Sequence, residues 1–169
     1  NFKNDPCYGK IKTLAVVMRG CSLLPGETRY KRHCSLVGQP LLCDEDVEFL
    51  SALELPVASK VYPYVAVMVD TSWRPRLQRF VVHNVRNNTG GWHVQIFHGP
   101  TNKQKLRRLF SDLIRSRDLT LTNLGSDYME DWQRLSSMML LAEFWRAVVG
   151  DKVLIFQPDS IMCAAATLP

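Results

Sequence analysis

Beyond residue 60, short apolar runs alternate with stretches of helical periodicity. Residues 64–69 (YVAVMV) form a near-continuous apolar run. Such a run suits a strand covered by helices on both faces. Residues 75–87 follow, with Leu77, Phe80, Val81 and Val85 on one face at helical spacing. Pro75 fits the first turn, where its missing N–H is not needed. Gly90 and Gly91 supply the left-handed positions that end helices. Residues 92–97 (WHVQIF) are the second strand. Thr101 and Gln104 have capping-box spacing, and the helix they open places Leu106, Leu109, Phe110, Leu113 and Ile114 on one side. Residues 119–124 (LTLTNL) are a third strand. A helical stretch over 127–149 is expected to break near Ser136 and Ser137, and residues 152–156 are the last strand.

The order β-α-β-α-β-α-β predicts an α/β fold, a Rossmann-like and mainly parallel sheet with helices on both faces. Ligands of such sheets sit beyond the carboxyl ends of the strands. Asp70, His98 and Asp159 each lie just past a strand, so all three are expected to converge on one crevice.

Residues 1–60 read differently, as an N-terminal cysteine-containing extension preceding a domain over 61–169. They hold one strand candidate, 11–18 (IKTLAVVM), and a short acidic helix candidate over 44–55, with Asp44 as its cap. Four of the five cysteines, Cys7, Cys21, Cys34 and Cys43, lie here, and Cys163 is the fifth. No C-x-x-C spacing occurs, which disfavours a zinc ribbon or a thioredoxin-like site. Two disulfides within 7–43 and buried free thiols are both compatible with the pattern.

Composition is that of a globular chain: 46% hydrophobic and 22% charged over 169 residues. No apolar run approaches the roughly 20 residues of a membrane span, so no transmembrane segment is expected. The net charge of +5 suits anionic ligands, and a solubility surplus explains it equally simply. Lys103, Lys105, Arg107 and Arg108 make a basic run, whose plain reading is a solvated helix face. No aromatic platform or recognition motif accompanies it, so nucleic acid is not an expected partner. Trp92, Phe144 and Trp145 read as core. Asn87-Asn88-Thr89 is a formal glycosylation site, meaningful only in a secreted chain.

Dinucleotide fingerprint, P-loop, nucleophile elbow and H-E-x-x-H motifs are all missing from the sequence. What remains is a polar cluster at strand ends. Such a cluster can hold a divalent cation and bridge it to phosphate oxygens, which neutralises a diphosphate leaving group.

The segments YVAVMVDTSWRPRLQRFVVHNV, GWHVQIFHGPTN, LTLTNLGSDYMEDWQRL and EFWRAVVGDKVLIFQPDSIMC run in order over about residues 61–163. Together they resemble a large, poorly characterised family grouped with glycosyltransferases of the GT-A fold. The resemblance implies a glycosyltransferase that moves a sugar from a nucleotide-diphosphate donor to an unknown acceptor hydroxyl. Its alternative is a non-catalytic nucleotide or nucleotide-sugar binding module. Gln157-Pro158-Asp159 resembles the D-x-D position of GT-A enzymes. Asp159 would then hold the metal, manganese or magnesium. Gln157 and Ser160 would contact the donor, Asp70 and Thr71 its nucleoside, and His98 and Gly99 would lie beside it. The resemblance further implies that 61–169 is the donor-binding half, that about half of a catalytic domain is missing, and that the chain is a fragment.

Overall fold

The computed structural model describes Leu53, residues 55–127 and residues 132–166. The strand candidate at 11–18, the four N-terminal cysteines and the helix candidate at 44–55, save Leu53 and Leu55, lie outside the described residues.

Among the described residues, four strands and five helices follow one another: β1 (Tyr62–Val69), α1 (Pro75–Asn88), β2 (His93–His98), α2 (Lys103–Leu109), α3 (Ser111–Arg115), β3 (Leu119–Asn123), α4 (Trp132–Met139), α5 (Ala142–Ala147) and β4 (Gly150–Phe156). The sheet order is β3-β2-β1-β4, and every pair is parallel. This is an α/β, Rossmann-like arrangement. The steps from β1 to β2 to β3 run in one direction, and the step from β3 to β4 reverses it. With crossovers of the usual right hand, that reversal sends the later helices to the opposite face.

The core divides accordingly. Val65, Val67 and Val69 of β1 pack with Phe97, Leu124, Met138, Phe144 and Val148, beneath α4 and α5. Ala66 and Met68 point the other way, to Val81, Val82, Val85 and Leu106 of α1 and α2 and to Phe110 after α2. Two covered faces explain why β1 is apolar at consecutive positions rather than at alternate ones. Gly150 opens β4 where a Cβ atom would come within 2.6 Å of Val65 Cγ1, so a side chain there would push the edge strand off the sheet.

Local signals succeeded at some ends and failed at others. Pro75 stands in the first turn of α1, and Gly90 and Gly91 take φ of 69° and 85° after it. The capping box does not form. Asn102, not Thr101, is the N-cap of α2 and makes no side-chain cap bond, and Thr101 is drawn to another partner. Its N–H and its hydroxyl both donate to Asp127 Oδ1, at 3.2 and 2.9 Å. The helix after it is two short helices, parted at Phe110. Ser136 and Ser137 lie inside α4, and the break falls instead at residues 140 and 141. Serine is tolerated in a helix whose apolar face is packed, so tertiary burial overrode its propensity.

One buried polar side chain organises the sheet. Gln95, fully buried in β2, donates from Nε2 to Thr122 Oγ1 and to the carbonyl of Ala147, both at 2.8 Å. Its Oε1 accepts the N–H of Val149 at 2.9 Å. The amide thereby satisfies backbone groups at the α5–β4 connection, which crosses over the sheet there. The segment before β1 braces the same place: Lys60 Nζ donates to the carbonyls of Trp145 and Val148, at 2.7 and 2.5 Å. A cation at these carbonyls opposes the negative end of α5.

Gln95→Leu keeps the shape but orphans the Val149 N–H and the Ala147 carbonyl. Each buried group left alone costs about 1–3 kcal/mol, so a loss of roughly 2–6 kcal/mol is expected in urea unfolding. A loss under about 1 kcal/mol would show that these groups find other partners.

Candidate functional site at the carboxyl ends of the strands

β1, β2 and β4 end side by side. Val69 is level with Phe97, and Met68 with Phe156. The chain therefore leaves all three strands within a residue or two of the same height. The direction of strand addition reverses between β1 and β4, so this is the topological switch point at which open α/β sheets hold ligands. Asp70 and Thr71 follow β1, Gly99 follows the last residue of β2, His98, and Gln157, Asp159 and Ser160 follow β4.

Asp70 is buried and engaged. Oδ1 accepts from the N–H and the hydroxyl of Ser72, at 2.9 and 2.6 Å, and Oδ2 accepts from Gln78 Nε2 at 2.7 Å. The carboxylate closes an Asx-type turn and ties it to α1. Asn102 spans the same turn from the other side, donating from Nδ2 to the carbonyls of Asp70 and Ser72, at 3.0 and 2.9 Å. Two carbonyl partners fix the amide orientation. Asn102 Oδ1 and Thr71 Oγ1 are then the buried side-chain polar atoms without a partner among the described residues. A buried acceptor without a donor is uncommon and marks a strained or ligand-ready spot.

After β4, residues 157–160 form a tight turn. Ser160 N–H donates to the Gln157 carbonyl at 3.0 Å, and Gln157 N–H donates to Ser160 Oγ at 3.1 Å. Pro158 occupies the second position of that turn, where its fixed φ is favourable. Gln157 and Asp159 are exposed. The chain beyond is pinned to α1: Met162 N–H donates to Asn84 Oδ1 at 2.8 Å, and Asn84 Nδ2 returns a bond to the Met162 carbonyl at 3.2 Å. The turn bearing Asp159 is thus anchored on both sides.

His98 points to the face that carries α2, with Ile96. Its Nδ1 lies 2.7 Å from the Gly99 carbonyl. A carbonyl only accepts, so Nδ1 carries the proton and Nε2 is left as an acceptor. Burial, assisted by Lys103, holds this imidazole below its usual 6.5 against the opposing carbonyl bond. His98 lines a groove of about 360 Å³ with Lys103, Arg107 and Asn123, floored by Leu119 and Leu121. Gly99 is needed for packing: a Cβ there would run into the Asp127 carboxylate that holds Thr101. The structure therefore joins Asp70, Thr71 and the Gln157–Ser160 turn at the switch point, while the His98 ring belongs to the β3 side.

A divalent cation needs hard oxygen donors. Both oxygens of Asp70 are already bonded, and Asp159 is the exposed carboxylate of the site. No group of three or more His, Cys, Asp or Glu able to hold a metal occurs among the described residues. Asp159 is the exposed carboxylate left to meet a cation here, and one carboxylate does not by itself make a cation site. Comparison with family models, curated proteins and solved structures gives no match. Among the described residues, no helix is long and apolar enough to cross a membrane.

Sequence reading overlooked Asn102 and Gln78 as the side chains that shape the turn after β1. Asn102 sits within the expected capping box, and its place as a helix N-cap was the available signal.

Burial lowers His98, and likewise His93, whose ring nitrogens meet the Arg117 carbonyl at 3.0 Å and Thr120 Oγ1 at 2.9 Å. Unfolded histidine protonates near 6.5, and these rings resist protonation while folded. Their contribution to stability is complete above about pH 6.5 and is lost as pH falls through the lower folded values. The urea midpoint should therefore drop between pH 7.5 and pH 5.5, and drop less in His93→Gln/His98→Gln. An equal drop in the variant would assign the effect elsewhere.

Proposed function

We propose that the crevice between the ends of β1 and β4 binds the diphosphate of a nucleotide-sugar donor. The activity inferred is glycosyl transfer, in which an acceptor hydroxyl attacks the anomeric carbon and the diphosphate leaves. The supporting observation is the switch point itself, with Asp70 and Thr71 on one side and the Gln157–Asp159–Ser160 turn on the other. Donor-binding roles follow for Asp70, Thr71, Gln157 and Ser160, with His98 and Gly99 beside the nucleoside. Asp70 would act mainly by shaping the loop, since its oxygens are spent on Ser72 and Gln78. The resemblance of the Gln157–Asp159 stretch to a D-x-D position supports a manganese or magnesium ion shared between Asp159 and the donor, which would neutralise the leaving diphosphate.

A second reading, nucleotide or nucleotide-sugar binding without catalysis, is favoured by one observation. The crevice offers a single exposed carboxylate, Asp159, and neutral polar groups around it. That set suffices to hold a diphosphate but supplies no second acid or base.

Calorimetric titration with nucleoside diphosphates, with and without manganese, tests the binding claim. Manganese-dependent binding should weaken roughly tenfold or more in Asp159→Ala, the equivalent of about 1.4 kcal/mol. No binding by the folded chain would reject both readings. Binding of a nucleotide sugar without release of its diphosphate in the presence of simple acceptors would leave the second.

A further inference from the structure

Residues 71–111 contain eight lysines and arginines and no aspartate or glutamate. They build the loop after β1, then α1, β2 and α2, and both helices cover the same face of the sheet. The fold thus gathers an acid-free run into one outer layer. Arg76, Arg79, Phe80 and His83 are exposed on α1, and Lys105 and Arg108 on α2. Phe80 is 55% exposed and Trp73, just before α1, is 39% exposed. Lys105 Nζ stands 5.7 Å above the Trp73 ring, so α2 meets the loop that leads into α1. Arg76, Arg79, Lys105 and Arg108 have no ion-pair partner among the described residues, whereas Arg86 is spent on Asp118 at 3.2 Å. Beside Phe80 runs an open groove of about 530 Å³, lined by Arg76, Arg79 and His83.

We propose that the α1–α2 layer docks on an anionic phospholipid bilayer. Headgroup phosphates meet Arg76 and Arg79, and the Phe80 ring enters the interface between headgroups and acyl chains. Clusters of four or more lysines and arginines on a helical surface are attracted to anionic leaflets. An exposed aromatic ring among them adds apolar burial that charge alone does not supply. Single-stranded nucleic acid carries the same charge but needs an open aromatic face for stacking. Here Lys105 covers the Trp73 ring, and Phe80 stands on the outer crest of a helix, a placement suited to insertion. The docking face is distinct from the strand-end crevice and does not depend on what the crevice binds.

Co-sedimentation with vesicles of phosphatidylcholine, alone or mixed with phosphatidylserine, tests this. The chain should sediment with the mixed vesicles, remain in solution with phosphatidylcholine alone, and be released as salt is raised. Arg76→Gln/Arg79→Gln should weaken partitioning about tenfold or more, and Lys105→Gln/Arg108→Gln should weaken it as well. Phe80→Ser should lower the bound fraction that survives at high salt. All these positions are exposed, and circular dichroism checks that each variant folds. Equal retention on both vesicle types, or unchanged partitioning in both charge variants, would overturn the proposal. So would displacement from the vesicles by a short oligouridylate that the Phe80→Ser variant binds less well, which would assign the face to nucleic acid.

Discussion

The fold depends on a buried amide. Gln95 lies at zero exposure in the middle of the sheet, where an unsatisfied polar group would be costly. It is tolerated because both ends of the side chain are bonded, to Thr122 on the neighbouring strand and to the backbone around Val149. Those backbone groups belong to the link that carries the chain from α5 into β4. Gln95 therefore marks where the crossover passes the sheet, and so where β4 is delivered beside β1. Lys60 reinforces the same junction from the segment before β1.

The position of β4 creates the switch point. Were β4 to add next to β3, the strands would continue in one direction and no reversal would exist. Because β4 adds to β1, the polar residues after β1 and β4 become neighbours. Their chemistry is uneven. Asp70 is consumed in holding its own loop, while Asp159 is presented on a turn braced by Ser160 and, farther along, by Asn84. This end of the sheet consequently presents one exposed carboxylate, Asp159, among neutral polar groups.

Charge is partitioned by the same topology. The acid-free run 71–111 forms the α1 and α2 layer, whereas Asp112, Asp118, Asp127, Glu143, Asp151 and Asp159 come later in the chain. Reversal of strand order sends Glu143, on α5, to the other face and Asp151, on β4, to the far edge. A run along the chain thereby becomes an acid-poor layer on one face of the described part of the fold.

By itself the sequence determined the α/β class, the parallel order of elements, the places of the four described strands and the glycine stop after α1, while β4, read as a buried strand, exposes Lys152 and half-exposes Val153, Leu154 and Ile155. These follow from periodicity and backbone preference, which act over a few neighbouring residues. It also placed Asp70, His98 and Asp159 at strand ends. The tertiary structure alone decided the rest: that Thr101 abandons its cap for Asp127, that α4 runs through Ser136 and Ser137, that Asp70 is occupied by Gln78, and that Asn102 and Thr71 keep unpartnered oxygens. In several of these cases the deciding partner is remote in sequence, 26 residues away for Thr101 and Asp127 and 32 for Asn102 and Asp70. Local propensities differ by under about 1 kcal/mol, and a buried hydrogen bond or packed face supplied from elsewhere in the fold is enough to override them.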